Sequence, residues 1–174
     1  MGDPESGDVS LYSPLQRAIL PVHAFHVPSS LEKTIRAGRF EIRINTAFRD
    51  VIRECSRGGD SWITDIIMNS YVALHRKGWA HSVEAWQDGA LAGGLYGVAI
   101  GGAFFGESMF HVRRDASKVA LVALLRRMRE RGMQLLDTQY TTAHLKRFGA
   151  YEISREEYLR LLRPALETPV RFYP

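Results

Sequence analysis

Three groups of residues in this chain are of types and spacings that could do chemistry. The first is centred on Glu107, a single acid set among Phe104, Phe105, Met109 and Phe110 within GGLYGVAIGGAFFGESMFHVRRDASK, residues 93–118. A carboxylate in apolar company is costly unless it is paired. Either Glu107 pairs with an arginine or caps a backbone amide, or it holds an ammonium group. Strand alternation would put Phe105, Glu107 and Met109 on one face and Phe104, Gly106, Ser108 and Phe110 on the other. Glycines at 93, 94, 97, 101, 102 and 106 strip side chains from this stretch, and glycine inside a strand often marks close approach of a ligand or another backbone. The segment therefore reads as an apolar slot containing a carboxylate.

The second group is Asp137 and Gln139 in MQLLDTQY. Two residues apart, they point the same way if the strand continues. They either stabilise a turn at the strand end or position and deprotonate an amine nucleophile. The third group combines rings and cations. Trp62 and Tyr71 are nine apart and, on one helix, would lie on different sides of it. Each is a core residue or a platform for a nucleotide base. Arg126, Arg127, Arg129 and Arg131 crowd the end of a long helix, where the dipole already favours cations. Lys118 sits at the other end, where the dipole disfavours it. Lys118, Arg126 and Arg129 are the candidate phosphate contacts. No metal site is expected, because His75 and His81 are six apart and Cys55 is the one cysteine.

These residues must be positioned by elements legible in the pattern. Two strands, residues 91–100 and 103–110, meet at Gly101-Gly102, a pair suited to a tight hairpin in which both residues take positive φ. Asp88-Gly89 predicts another hairpin, preceded by a strand over 81–86. Helices are expected after Ser29 or Ser30 up to Gly38, over 47–55 until Gly58-Gly59-Asp60, from a cap at Ser61 or Thr64 to Gly78, and from Asp115 or Ser117 to Arg131. In the third of these, Ile63, Ile66, Ile67, Tyr71 and Leu74 recur at helical spacing. The fourth is apolar nearly all round in its first half and should be deeply packed. Strands over 40–44, 133–138 and 151–153, a short helix over 141–147 and a last helix over 155–162 complete the order. Tyr12-Ser13-Pro14 and Leu20-Pro21 read as an irregular entry. The order predicts an α+β fold with helices on a mixed, largely antiparallel sheet, as in the acyl-CoA N-acyltransferase (GNAT-like) fold.

At 174 residues one domain is the default. No stretch approaches the roughly 20 apolar residues of a membrane span, and the lone cysteine fits a reducing, cytoplasmic setting. A net charge of +4 permits a nucleic-acid partner without establishing one. Enzymes that use acyl-CoA cradle its pyrophosphate on a glycine-rich turn before the long helix. Here that turn is HVRRDASK, without glycine, which argues against CoA as donor.

The series WIT at Trp62, HSVEAW at His81, GGLYGVAIGGAFFGESMF at Gly93, DASKVAL at Asp115 and LLDTQ at Leu135 resembles the bacterial leucyl/phenylalanyl-tRNA–protein transferases over about residues 12–165. The resemblance implies transfer of Leu or Phe, less well Met, from aminoacyl-tRNA to proteins beginning with Lys or Arg, marking them for degradation, with no cofactor. It assigns Leu95, Phe104, Gly106, Glu107, Met109 and Met128 to the amino-acid pocket. It assigns Trp62 and Tyr71 to the terminal adenosine, and Asp137 and Gln139 to activation of the attacking amine. It also implies a single catalytic domain over residues 12–165 between tails at 1–11 and 166–174, without the small leading domain usual in the family. Two other readings stand beside it: a non-catalytic aminoacyl-tRNA or RNA-binding module, and an acyl-CoA-dependent amine acetyltransferase.

Overall fold

A computed structural model describes residues 13–57 and 62–173. The expected N-terminal tail, Tyr12, the Gly58-Gly59-Asp60 break and the Ser61 cap lie outside the described residues. The elements are β1 (Gln16–Pro21), α1 (Ser29–Arg36), β2 (Glu41–Ile44), α2 (Phe48–Cys55), α3 (Asp65–Arg76), β3 (Ala80–Gln87), β4 (Ala90–Ile100), β5 (Ala103–His111), α4 (Ala116–Glu130), β6 (Leu135–Gln139), α5 (Ala143–Lys146), β7 (Tyr151–Ser154) and α6 (Arg155–Glu167).

The seven strands form one sheet in the order β2-β3-β4-β5-β6-β1-β7. Every pairing is antiparallel except β5 with β6, which run parallel and share only the pairs Ala103–Leu135, Phe104–Leu136 and Phe105–Asp137. Beyond those three pairs the two strands part, and the split opens the sheet. The Asp88-Gly89 hairpin forms as expected, with φ of 52° and 75°. At Gly101-Gly102 only Gly101 is left-handed, at 54°.

The expected irregular entry is instead β1, hydrogen-bonded to β6 on one side and β7 on the other. Its residues Ala18, Ile19 and Leu20 are all buried. A strand covered on both faces shows no polar alternation, so the pattern that reveals half-buried strands is missing here. Residues 166–174, expected as a tail, begin with the last two residues of α6. Phe172 is 2% exposed, its ring lies 5.0 Å from His81, and its carbonyl accepts a 3.1 Å hydrogen bond from Arg127 Nε.

Helices cover both faces of the sheet. α4 packs with Leu20, Val83, Leu95, Phe104 and Leu136 on one face. Its buried residues run from Ala116 to Met128, as the all-round apolar pattern required. α2 and α3 cover Ala80, Tyr96 and Phe110 on the other. α6 covers Ile19, Ala103, Leu135 and Ile153. α3 is capped by Thr64, whose hydroxyl accepts from Ile67 N–H. Trp62 and Ile63 therefore precede the helix rather than belong to it. Ile66 is 62% exposed, so Ile67, with Tyr71 and Leu74 half-buried, is the apolar stripe. Glu84, fully buried on β3, is satisfied by Thr46, Ser82, the Trp86 indole and the Ala47 amide just ahead of α2.

The expected alternation along β5 fails at one place. Tyr96 pairs with Ser108 but Gly97 pairs with Gly106, so Glu107 is an extra residue, a β-bulge. Downstream side chains change face. Phe104 and Met109 share the α4 side, while Phe110 turns to α2 and α3. The bulge requires glycine at 97, where a Cβ would lie 2.2 Å from the Phe105 carbonyl oxygen and 2.4 Å from the Phe104 ring. Gly97→Ala is therefore expected to destabilise the fold by at least the 1–3 kcal/mol usual for overpacking. The measurement is a denaturant midpoint at unchanged m-value, and a midpoint equal to wild type would remove the close approach as the reason for the glycine.

Candidate functional site

The split between β5 and β6 and the bulge beside it form one wall of a cavity of about 250 Å³. Leu95 from β4, Met109 from β5, Leu121 and Leu124 from α4 and Leu136 from β6 make an apolar floor. Gly106, Glu107 and Thr138 stand in the middle. Trp62, Tyr140, Thr142 and His144 form the rim. A Cβ on Gly106 would meet a single neighbour, the Asp137 carbonyl at 3.3 Å.

Of the residues expected to make the amino-acid pocket, Leu95, Gly106, Glu107 and Met109 line this cavity. Phe104 and Met128 do not. Both are fully buried in the core cluster that contains Leu95, Leu121 and Leu124. Trp62 lines the cavity because it lies before the helix. Tyr71 faces inward instead. Its ring is edge-on to Tyr96 at 5.2 Å, and its hydroxyl hydrogen-bonds to Glu107.

Glu107 is half-buried, and burial pushes its carboxyl above the usual carboxylate range. Hydrogen bonds from Tyr71 and Gln139 act the other way, and the nearby Asp137 charge adds to the rise. Gln139 Nε2 donates to Glu107 Oε2 at 3.2 Å and to the Gly106 carbonyl at 3.1 Å. Glu107 stands at the bulge, on the Phe105 side where Tyr71 packs against Tyr96, and the bulge changes the face of Met109 and Phe110 after it.

Asp137 and Gln139 do not follow the expected strand geometry. Pairing with β1 skips a residue, Ala18 opposing Gln139 and Ile19 opposing Asp137, and Gln139 is left-handed at φ 65°. Asp137 is fully buried and does not line the cavity. Arg17 Nε donates to both of its oxygens, at 3.1 and 2.9 Å, Tyr158 Oη donates at 2.6 Å, and the Gln139 amide at 2.7 Å. The carboxylate thus holds the turn that aims Gln139 at Glu107. Burial and the bond to Asp137 raise the Tyr158 phenol, which stays a donor. The sequence reading missed Arg17 and Tyr158, which lie 120 and 21 residues from their partner, and no local pattern marks such pairs. It also missed the floor residues Leu121, Leu124 and Leu136, which read only as core, and the rim residues Tyr140, Thr142 and His144.

The three candidate phosphate contacts are not brought together. Lys118, in the first turn of α4, forms a 2.7 Å ion pair with Asp115 and lies close enough to His144 to lower that imidazole's pKa, second to burial. Arg126 and Arg129 are exposed near the other end of the helix, and Arg129 lies over Phe25. Eleven residues of α-helix separate Lys118 from Arg129, about 16 Å. Among the described residues no three His, Cys, Asp or Glu side chains are placed to hold a metal ion, and no helix is long and apolar enough to cross a membrane.

The family model described as leucyl/phenylalanyl-tRNA protein transferase matches residues 19–163. A leucyl/phenylalanyl-tRNA–protein transferase of Herpetosiphon aurantiacus is 54% identical over 169 residues, which are 97% of this chain and 88% of that protein. One of Akkermansia muciniphila is 49% identical over 96% of this chain and 89% of that protein. Among solved structures, L-PGS from Bacillus licheniformis aligns with 74% of this chain and 46% of that chain, at 11% identity and a TM-score of 0.49, too slight a likeness to argue from. With the family model spanning most of its length and relatives at about half identity, this chain belongs to the leucyl/phenylalanyl-tRNA protein transferase family.

Proposed function

We propose that this protein transfers Leu or Phe, and Met less well, from aminoacyl-tRNA to the N-terminal amine of proteins beginning with Lys or Arg, marking them for degradation. The observation that carries the reading is a buried-side carboxylate, Glu107, held by Tyr71 and Gln139 at the middle of a cavity that is apolar below and polar at its rim. The floor takes the amino-acid side chain. Glu107 takes the α-ammonium beside it, and Trp62 at the rim stacks on the terminal adenine. Tyr71 acts through Glu107 rather than on the base. Phe104 and Met128 act from behind, by fixing the floor.

The donor ester is already activated, so the task is to bring amine and ester together. The amine nitrogen attacks the ester carbonyl, the carbon–oxygen bond to the ribose breaks, and the ribose oxygen leaves with a proton. An N-terminal amine with a pKa near 7.7–8 is partly free base at neutral pH. Gln139 positions it, and Asp137 sets Gln139 by holding its backbone. A donor carrying CoA fits the long-helix turn poorly. The amides of Val112 and Arg113 are already bonded to the Ala92 carbonyl, and that of Ala116 to Arg113. The fold is read as a variant of the acyl-CoA N-acyltransferase architecture, supported by the short parallel β5–β6 ladder that parts at the site. The chemistry belongs in the cytoplasm, in keeping with the lone cysteine.

Single-turnover transfer from Leu-, Phe-, Met- and Ile-tRNA to a peptide beginning with Arg tests this. Leu and Phe should react fastest and Ile slowest, since its Cβ branch meets the wall at Gly106. A hydrophobic slot distinguishes such side chains by about 10–200-fold. Equal use of Ile, or acetylation of the peptide from acetyl-CoA without aminoacyl transfer, would overturn it.

Glu107→Gln separates function from stability. Because the folded-state pKa of Glu107 is raised, its contribution to stability is full below the unfolded value and is lost as pH rises through the folded value. The variant should thus melt higher than wild type at pH 8, with the difference vanishing near pH 4, while donor binding weakens. Each kcal/mol reads as about 2–4 °C in Tm for a domain of this size. A lower Tm at pH 8 would contradict the assigned burial cost.

Asp137→Ala should cost roughly 3–5 kcal/mol of stability, since it leaves Arg17 unpaired, and should also slow transfer. Gln139→Ala should slow transfer with a much smaller loss of stability. Thermal melts beside single-turnover rates compare the two, and a Gln139→Ala variant as fast as wild type would remove the positioning role.

A further inference from the structure

α3 is 12 residues long, about 18 Å. Trp62, on the rim of the aminoacyl cavity, precedes its N-terminal end, and Tyr71 at its middle reaches Glu107. At its C-terminal end a second and larger cleft, about 580 Å³, opens between the α3–β3 turn, the β4–β5 turn and the C-terminal segment. The charge on its walls has one sign. Arg76, Lys77 and Arg171 line it, and no Asp or Glu does. All three cations are exposed, and none forms an ion pair among the described residues. Elsewhere on the surface Arg36, Arg43, Arg53, Arg57 and Lys118 each meet a carboxylate at 2.6–2.9 Å. The helix dipole accounts for Arg76 and Lys77 at the end of α3. It does not account for Arg171, which comes from the opposite wall.

Two rings stand open beside the cations, Trp79 at 46% and Tyr173 at 42% exposure. The floor between them is built rather than loose. His81 is 4% exposed, and Asn45 Nδ2 donates to its Nδ1 at 3.0 Å. Asn45 is held left-handed at φ 63°, and its Oδ1 accepts from the Ser82 amide. Burial pushes His81 down to about 4, so His81 adds no charge to the cleft at neutral pH.

We propose that this cleft is an RNA-contact site separate from the aminoacyl cavity, where phosphates lie against Arg76, Lys77 and Arg171 and an unpaired base stacks on Trp79 or Tyr173. Unpaired cations interleaved with open aromatic rings suit a sugar–phosphate strand, since the cations track the backbone and any base offers a ring face. An acidic peptide would use the cations and leave the rings idle. The proposal rests on charged tRNA being the donor. With the 3′ end in the aminoacyl cavity, the cleft at the C-terminal end of the same helix lies within reach of the nucleotides that precede that end.

The test is fluorescence anisotropy of uncharged tRNA and of a single-stranded RNA of about ten nucleotides, across a salt series. Wild type is compared with the Arg76→Ala/Lys77→Ala/Arg171→Ala triple variant and with Trp79→Ala. The triple variant should bind both RNAs at least about tenfold more weakly, with the log–log salt slope on the single strand reduced by about 2, or about 0.7 per lost phosphate contact. Trp79→Ala should weaken the single strand about fivefold or more and leave the slope unchanged. Should the triple variant lose its fold by circular dichroism, Arg171→Gln and Trp79→Ala, each alone, carry the same comparison. Unchanged affinity and slope would overturn the proposal. So would displacement of RNA from wild type by AMP or inorganic phosphate at equal concentration, which would make this a small-anion site, or stronger binding of a polyglutamate peptide than of RNA. If wild type fails to transfer an amino acid from charged tRNA yet binds RNA through this cleft, the proposed function falls and the cleft stands. If transfer succeeds and the triple variant binds tRNA as wild type does, the reverse holds.

Discussion

The bulge opposite Gly97 is the constraint on which the site depends. One extra residue in β5 changes the face of everything after it, sending Met109 to the α4 side and Phe110 to α2 and α3. The extra residue is Glu107, which reaches Tyr71 and Gln139. The packing at Gly97 leaves no room for a Cβ, so the register shift is tied to a glycine rather than to a ligand. Bulges of this kind re-aim side chains next to active sites. Here the re-aimed side chains are Met109 and Phe110, and the residue at the bulge is an acid in a half-buried, otherwise apolar place.

Two carboxylates sit near each other in this region and are treated differently. Asp137 is entirely removed from solvent, and Arg17, Tyr158 and the Gln139 amide occupy both of its oxygens. Such a group is structural, because its pairing offsets the loss of water. Glu107 has only hydrogen bonds from neutral partners, so burial dominates and its pKa rises. An acid left short of a cation inside a cavity is suited to receive one from a ligand. The first carboxylate holds the turn, the turn holds Gln139, and Gln139 touches the second carboxylate.

Glu84, on β3 toward the other edge of the sheet, plays the first of these roles. Four donors surround it, one of them the backbone amide ahead of α2. Buried acids in this fold therefore split into fully satisfied ones that fasten helices and turns to strands, and Glu107, which is under-satisfied and borders the cavity. The C-terminal segment is likewise structural. Phe172 closes the core over His81 and Phe104, and the same segment supplies Arg171 and Tyr173 to the second cleft.

By itself the sequence determined the elements whose signals are local. The Asp88-Gly89 hairpin, the all-round apolar α4, the Thr64 cap and the glycine-rich pair β4–β5 follow from turn chemistry and periodicity, which neighbours in the chain decide. The motif series around Gly93 was likewise legible, and with it the family. What the tertiary structure alone decided is non-local. β1 was invisible because a strand buried on both faces loses its alternation. Phe104 and Met128 fell behind the cavity and Leu121, Leu124 and Leu136 came to its floor, because a core residue and a pocket residue are the same residue type until the packing assigns them. The faces of Met109 and Phe110 depended on a register shift beside the close approach of Gly97 to the Phe105 carbonyl. Asp137 met Arg17 across 120 residues of sequence, and only the closure of the sheet could bring that pair together.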